Sequence, residues 1–273
     1  MNTVTSIQHS ASESVLLLHC SASSSKQWEG LRQVLAGRRR AYAADLYGYG
    51  ESASWSGPGP LSLAAEAAHA ASALPADAGA VHVVGHSYGG AVALRFAAEH
   101  ASRVRSLTLI EPVAFHLLRQ GNDGDRRLLS SIYKVSWAVI GGVLNGDYQG
   151  AMGHFVDYWN GAGAWDGMEA QARRRFARHA PKVVLDFHAA MNEDLSLDAC
   201  RQRFTFPVCV IRGESSPEPA RRIAELLSES IPGAGLVTVP GAGHMLPLTH
   251  PDRVNAAVRE HIEGGAFRGS LAA

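Results

Sequence analysis

Cysteine is scarce in this chain. Only Cys20, Cys200 and Cys209 occur in 273 residues, with no CxxC pair, which excludes a disulfide framework and suits buried, reduced thiols. Net charge is missing as well. Lys and Arg together number 25, Asp and Glu together 25, and the isoelectric point lies near 7.2, so no overall field draws the chain to nucleic acid or to an anionic membrane. The substrate implied is neutral, or charged only locally. Long apolar runs are also absent: the longest, near Val135 to Leu144, is too short to cross a bilayer. The polar start Met1 to Ser14 lacks the basic-then-apolar pattern of a secretion signal, so a soluble, cytoplasmic protein is expected. Neither GxGxxG nor GxxxxGK[ST] follows Val84, and the 13 histidines include no HExxH. No nucleotide cofactor and no metal are therefore expected, and His116, His154, His179 and His188 read as surface or core residues. The short basic runs Arg38-Arg39-Arg40 and Arg173-Arg174-Arg175 read as solvated faces.

What is present is an alternation. Val15-Leu18, Ala41-Ala44, Val81-Val84, Leu107-Ile110, Val208-Ile211 and Leu236-Val239 are short, apolar and rich in strand formers. Between them Trp28-Leu35, Ser62-Leu74, Gly90-Glu99, Pro219-Ile231 and Pro251-Ile262 carry helical spacing. This rhythm predicts an α/β fold: a mostly parallel twisted sheet with helices on both faces. It breaks between about Val113 and Cys200, where helical segments follow one another with Gly-rich joints at Gly141-Gly142 and Gly161-Ala162-Gly163. The expected organisation is a core of residues 1–112 and 201–273 with a helical cap inserted at 113–200. Ten of the twenty aromatic residues fall in that insertion, among them Trp137, Phe155, Tyr158, Trp159 and Trp165. Many must pack the cap onto the body, and others are expected to line an apolar pocket. From Gly264 to Ala273 the chain reads as a frayed tail.

Gly85-His86-Ser87-Tyr88-Gly89-Gly90 joins the strand run Val81-Val84 to the Ala-rich helical run Ala91-Glu99. A glycine-rich turn could serve packing alone, but a serine held on a crowded strand-to-helix turn is a nucleophile elbow. A serine hydroxyl is a weak nucleophile at neutral pH, so it needs a base within hydrogen-bond reach and a group that orients the base. His244, in Gly241-Ala242-Gly243-His244, follows the last strand and precedes the last helix. That loop can hang over the carboxyl ends of the strands. The Ser…His order along the chain singles His244 out from the other histidines.

These pieces, with Leu16-Leu17-Leu18-His19-Cys20-Ser21, Asp45-Leu46-Tyr47-Gly48-Tyr49-Gly50-Glu51-Ser52, Pro207 to Gly213 and His250-Pro251, resemble the α/β-hydrolase superfamily over nearly the whole chain. The resemblance is to the cap-bearing branch that includes esterases, lactonases and C–C hydrolases. It implies an oxyanion hole made by the backbone N–H groups of Ser21 and Tyr88. Cys20 stands where the family usually has glycine, and it reads as a small buried residue rather than a second nucleophile.

The acid is displaced from its usual family position. Three residues after Gly213 stands Ser216, which cannot supply a carboxylate and, before Pro217, suits the N-cap of the next helix. Glu111 ends the apolar run after the elbow helix, and a right-handed crossover sets that strand beside the elbow strand. A charge closing so apolar a run needs a partner, and an imidazole N–H is suitable. Some haloalkane dehalogenases of the superfamily carry their acid at this strand end. Glu214, and the insertion's Asp194 or Asp198, remain alternatives. A serine rather than an aspartate at the elbow argues against dehalogenase and epoxide hydrolase chemistry. The expected activity is hydrolysis of a small or medium apolar carboxylic ester through Ser87, His244 and Glu111, with a small-molecule ester as the partner. An acyltransferase and a non-catalytic small-molecule receptor that keeps the triad are the other classes the fold hosts.

Overall fold

The structure is a computed structural model that describes residues 13–264. Residues 1–12 of the polar start and residues 265–273 of the expected tail lie outside the described residues.

Six strands form one wholly parallel sheet: β1 (Ser14–Leu18), β2 (Arg40–Ala44), β3 (Val81–His86), β4 (Val104–Ile110), β5 (Val208–Gly213) and β6 (Gly235–Val239), in the order β2-β1-β3-β4-β5-β6. Each coincides with one of the six apolar runs. The runs are continuous because both faces of the central strands are covered. In β1, Leu16 and Leu18 enter one core while Val15 and Leu17 enter the other, and all four are fully buried.

Eleven α-helices occur among the described residues: α1 (Glu29–Leu35), α2 (Leu63–Ser72), α3 (Tyr88–Glu99), α4 (Asp123–Leu144), α5 (Tyr148–Asn160), α6 (Ala170–Ala177), α7 (Ala180–Met191), α8 (Leu197–Arg203), α9 (Glu218–Ser230), α10 (Leu246–Thr249) and α11 (Pro251–Ile262). The smaller core joins α1 and α11 to one face of the sheet through Trp28, Leu31, Leu35, Val254 and Val258. The larger core joins α2, α3 and α9 to the other face and continues into α4, α5 and α7. Between β4 and β5 lie the five helices α4 to α8 and no strand, in the stretch where the sequence rhythm breaks. A full capping box at Asn122 and Asp125 starts α4, and Asp147 caps α5 through the Gly150 amide. Arg222 on α9 pairs with Asp125 at 2.7 Å, tying this helical segment to the layer over the sheet.

The parallel arrangement brings the carboxyl ends of β3, β4 and β5 together. Register pairs His86 with Ile110 and Ile110 with Ile211, so Ser87, Glu111 and the turn after Gly213 emerge side by side. In open parallel sheets this edge is where ligands bind.

Candidate active site

The elbow is built by steric exclusion. Ser87 sits between β3 and α3 with φ 56° and ψ −116°, a backbone state that costs a non-glycine residue of order 1–3 kcal/mol. Glycine is required around it. A Cβ on Gly85 would lie 2.2 Å from the Gly89 carbonyl oxygen, and one on Gly89 would lie 2.3 Å from the Leu18 carbonyl oxygen. Both contacts are with backbone that cannot yield. The Ser87 amide donates to Ile110, while the Ser87 carbonyl accepts from Gly90, Ala91 and Val113. The turn is thereby locked to β4 as well as to its own helix.

His244 reaches this point from the loop after β6. Its Nε2 lies 2.9 Å from Ser87 Oγ and its Nδ1 lies 3.0 Å from Glu111 Oε2. A carboxylate oxygen can only accept, so Nδ1 carries the proton and Nε2 is left to accept from the Ser87 hydroxyl. The three side chains form one buried relay: Ser87 is 6% exposed, His244 2% and Glu111 0%. Glu111 also has a positive φ, 48°. Its Oε1 accepts from the Gly213 amide at 2.7 Å and from Ser216 Oγ at 2.8 Å, so each carboxylate oxygen is matched by a donor.

That contact corrects the expectation for Ser216. Helix α9 begins at Glu218 with Pro217 at the cap position and no side-chain cap. The serine hydroxyl turns inward, where it donates to a buried carboxylate in a charge-assisted hydrogen bond. The other carboxylates stand elsewhere. Glu214 is exposed and accepts from the Gly241 amide at 2.9 Å, bracing the loop that carries His244. Asp194 pairs with Arg95 at 2.9 Å and Asp198 with Arg201 at 3.0 Å.

Two histidines position the loops from behind. His86 Nε2 donates to the His244 carbonyl at 2.9 Å, and its Nδ1 accepts from Gln27 at 3.1 Å. The same glutamine accepts from the Cys20 amide at 3.1 Å. His19 accepts from the Leu46 amide at 3.0 Å and donates to the Cys20 carbonyl at 2.7 Å. These bonds suit neutral rings. Burial lowers His86 to about 3 and His19 to about 4. Cys20 is buried, and burial pushes its thiol up to about 12, so a thiolate nucleophile is disfavoured.

Beside Ser21 lies a cluster with no counterpart in the sequence reading. Asp186 on α7 accepts from Ser21 Oγ and from the Tyr49 hydroxyl, each at 2.6 Å, and pairs with Lys182. Lys182 Nζ also reaches Glu66 on α2 at 3.0 Å and sits over the rings of Tyr49 and Tyr88. Burial alone would lower the Lys182 ammonium, but Asp186 and Glu66 outweigh it and hold it above its ordinary value. Burial raises the Glu66 carboxyl. Glu66, Lys182 and Asp186 belong to no local pattern; only their meeting with Ser21 and Tyr49, over separations of up to 165 positions, makes them a unit. Trp159 of α5 was expected to be a pocket residue. It stacks on the His244 ring at 3.9 Å between centroids.

Ser21, Ser87 and Tyr88 line a common cavity of about 20 Å³ with Phe115, Phe155 and Phe187. A second cavity, about 380 Å³, shares Ser21, Ser87, Phe155 and Trp159 with the first and is also lined by His244 and Phe176. Phe155 and Trp159 thus meet the expectation that insertion aromatics face the elbow, Trp165 packs in the core, and Trp137 is two-thirds exposed. Among the described residues no group of three or more His, Cys, Asp and Glu side chains is arranged to hold a metal, and no helix is long and apolar enough to cross a membrane.

The alpha/beta hydrolase family matches residues 15–257. The chain belongs to that family. It is 26% identical over 256 residues to the pimeloyl-[acyl-carrier protein] methyl ester esterase of Neisseria meningitidis, covering 93% of this chain and 95% of that one. A thermophilic esterase of known structure superposes with a TM-score of 0.68 at 25% identity, covering 92% of this chain and 89% of that one. An enol-lactonase from Burkholderia xenovorans, TM-score 0.68 at 16% identity over 94% and 93% of the two chains, shares the fold. The likeness to esterases supports a carboxylic ester hydrolase.

Proposed function

We propose that the protein hydrolyses a small-molecule carboxylic ester through a Ser87-His244-Glu111 triad and an acyl-enzyme. The observation that carries this reading is the continuous buried relay from Glu111 Oε2 through both His244 nitrogens to Ser87 Oγ, at 3.0 and 2.9 Å. His244 Nε2 takes the Ser87 proton as Oγ attacks the carbonyl carbon, and the Ser21 and Tyr88 amides donate to the oxygen that becomes negative. Protonated His244 then delivers the proton to the departing alkoxide, leaving an ester on Ser87. Water, deprotonated by the same nitrogen, releases the acid and restores the serine. Glu111 keeps the proton on Nδ1 and balances the imidazolium, and the Trp159 ring stacks on the His244 ring. Residues 113–200 serve as a cap that closes the site from above, on a core of 1–112 and 201–273; the cavity walls contributed by α5 and α7 support this division. The free, buried state of all three cysteines suits a reducing, cytoplasmic compartment.

Turnover of p-nitrophenyl esters and labelling of Ser87 by a fluorophosphonate probe test the reading. Wild type is expected to do both and Ser87→Ala neither. A wild type inert to both would overturn it.

A further inference from the structure

Resting on that reading, the two cavities that meet at Ser87 divide the ester into a small and a large half. His244 decides which is which. Its Nε2 must reach the leaving oxygen to protonate it, so the alcohol side of the ester lies in the cavity that His244 lines. That is the wide one, about 380 Å³. The acyl side then lies in the other cavity, which Tyr88 lines and His244 does not, and which shares Ser21 and Ser87 with the wide one; it offers about 20 Å³. A space of this size holds one water-sized group, which is the volume of the methyl carried by an acetyl carbonyl.

The walls make the difference durable. Along α7, Val183, Asp186, Phe187 and Ala190 follow the i, i+3, i+4, i+7 spacing of one helix face and close the small cavity. Phe187 is held on two sides, by Phe115 at 6.1 Å and Phe155 at 6.1 Å between centroids. Asp186 anchors the same face to Ser21 and Tyr49. Phe155 and Trp159, one turn apart on α5, line both cavities and form the partition. The wide cavity is walled by Met168, Phe176, Met245 and Leu248, all apolar.

We propose that the substrates are acetate-sized esters of larger apolar alcohols. The acyl carbon–oxygen bond breaks, and water supplies the hydroxyl that leaves with the short acid and the proton that leaves with the alcohol. The test is a matrix on the full chain: acetates of methanol through octanol against methyl esters of acetic through octanoic acid. Lengthening the alcohol is expected to raise kcat/KM by about threefold to fourfold per buried methylene until the cavity is filled. Lengthening the acid beyond propionate is expected to lower it by about tenfold or more. Phe187→Ala should raise the octanoate-to-acetate ratio by about tenfold, while Leu248→Ala, in the wide cavity, should leave that ratio unchanged and weaken the preference for octyl acetate. Methyl octanoate hydrolysed as well as or better than octyl acetate would overturn the assignment of the cavities. Unmeasurable hydrolysis of every ester by the wild type would instead overturn the triad reading beneath it.

Discussion

Replacing Glu111 by glutamine tests whether the acid has moved one strand over. The substitution keeps the shape of the side chain and removes only its charge and one acceptor. Two donors fix how the new amide must sit: the Gly213 amide at 2.7 Å and the Ser216 hydroxyl at 2.8 Å both point at Oε1. The backbone N–H cannot turn away, so the glutamine oxygen must take that place. Its NH₂ group then faces His244 Nδ1. A donor there forces Nδ1 to accept, which moves the ring proton to Nε2 and leaves nothing to take the Ser87 proton. Wrong tautomers of this kind cost about 10⁴ in kcat in the serine-protease case, equivalent to about 5.5 kcal/mol of barrier. A fall of 10³ to 10⁴ in kcat on p-nitrophenyl acetate, with the melting midpoint lowered by no more than about 5 °C, is therefore expected. Glu214→Gln, which alters only the brace on Gly241, should retain kcat within about tenfold. Ser216→Ala removes one of the two bonds on Oε1 but leaves the carboxylate, so its loss should fall between the two, about tenfold in kcat with KM unchanged. A severe loss in Glu214→Gln with Glu111→Gln near wild type would refute the assignment.

Lys182→Met leaves Asp186 and Glu66 buried without their shared cation, a change that typically costs 3–5 kcal/mol and should lower the melting midpoint by roughly 10 °C. Because burial already raises Glu66 and loss of the ammonium raises it further, the unfolded chain releases that proton first as pH rises. The deficit should therefore grow as pH rises through and above the ordinary carboxylate range; a deficit that shrinks as pH rises contradicts the burial argument. Acid should destabilise the wild type for the opposite reason. Burial lowers His19 and His116 to about 4 and His86 to about 3, so between an unfolded value near 6.5 and about pH 4 the unfolded chain binds protons that the folded one refuses. Stability is present above about 6.5 and falls at up to about 1.4 kcal/mol per pH unit for each ring. The urea midpoint should drop clearly between pH 7 and pH 5, and an unchanged midpoint would mean that these rings can charge without unfolding.

All six strands were legible in the sequence because the sheet is covered on both faces. Leu16 and Val15 bury on opposite sides of β1, so the run is apolar throughout and needs no partner to be recognised. The elbow was legible because Gly85 and Gly89 are demanded by contacts with nearby backbone, at 2.2 and 2.3 Å. The proposed roles of His244 and Glu111 rest in the sequence on chain order and on the oddity of a charge closing an apolar strand, and the structure sets the two side chains 3.0 Å apart. What escaped is what only tertiary proximity creates. Gln27 links the Cys20 amide to His86, and Lys182 on α7 meets Glu66 on α2; no spacing rule joins such positions. Ser216 misled for a related reason. A serine before proline has a good local use as a helix cap, and the sequence contains no sign of the acceptor that reaches it across the sheet.

Under the proposed triad, that acceptor shows how an acid standing on β4 can serve the base. In a parallel sheet the ends of adjacent strands lie about 4.8 Å apart, which a glutamate side chain can span. Glu111 leaves β4 and reaches toward the end of β5, where Gly213 and Ser216 hold its Oε1. Its Oε2 meets His244 Nδ1 at 3.0 Å. What the base needs is an acceptor oxygen at that point on a carboxylate whose other oxygen is held by donors, as Gly213 and Ser216 hold Oε1 here. The hydroxyl of Ser216 satisfies the far side of the Glu111 carboxylate. A glutamate at the end of β4 and a small hydroxyl residue at position 216 are thus one physical unit. Restoring an acid at 216 while Glu111 remains would bury two carboxylates against one imidazole, so Ser216→Asp should be destabilised and slow. Adding Glu111→Gln to it should recover activity, and failure of that double variant to exceed Glu111→Gln would show that the β4 oxygen cannot be supplied from β5.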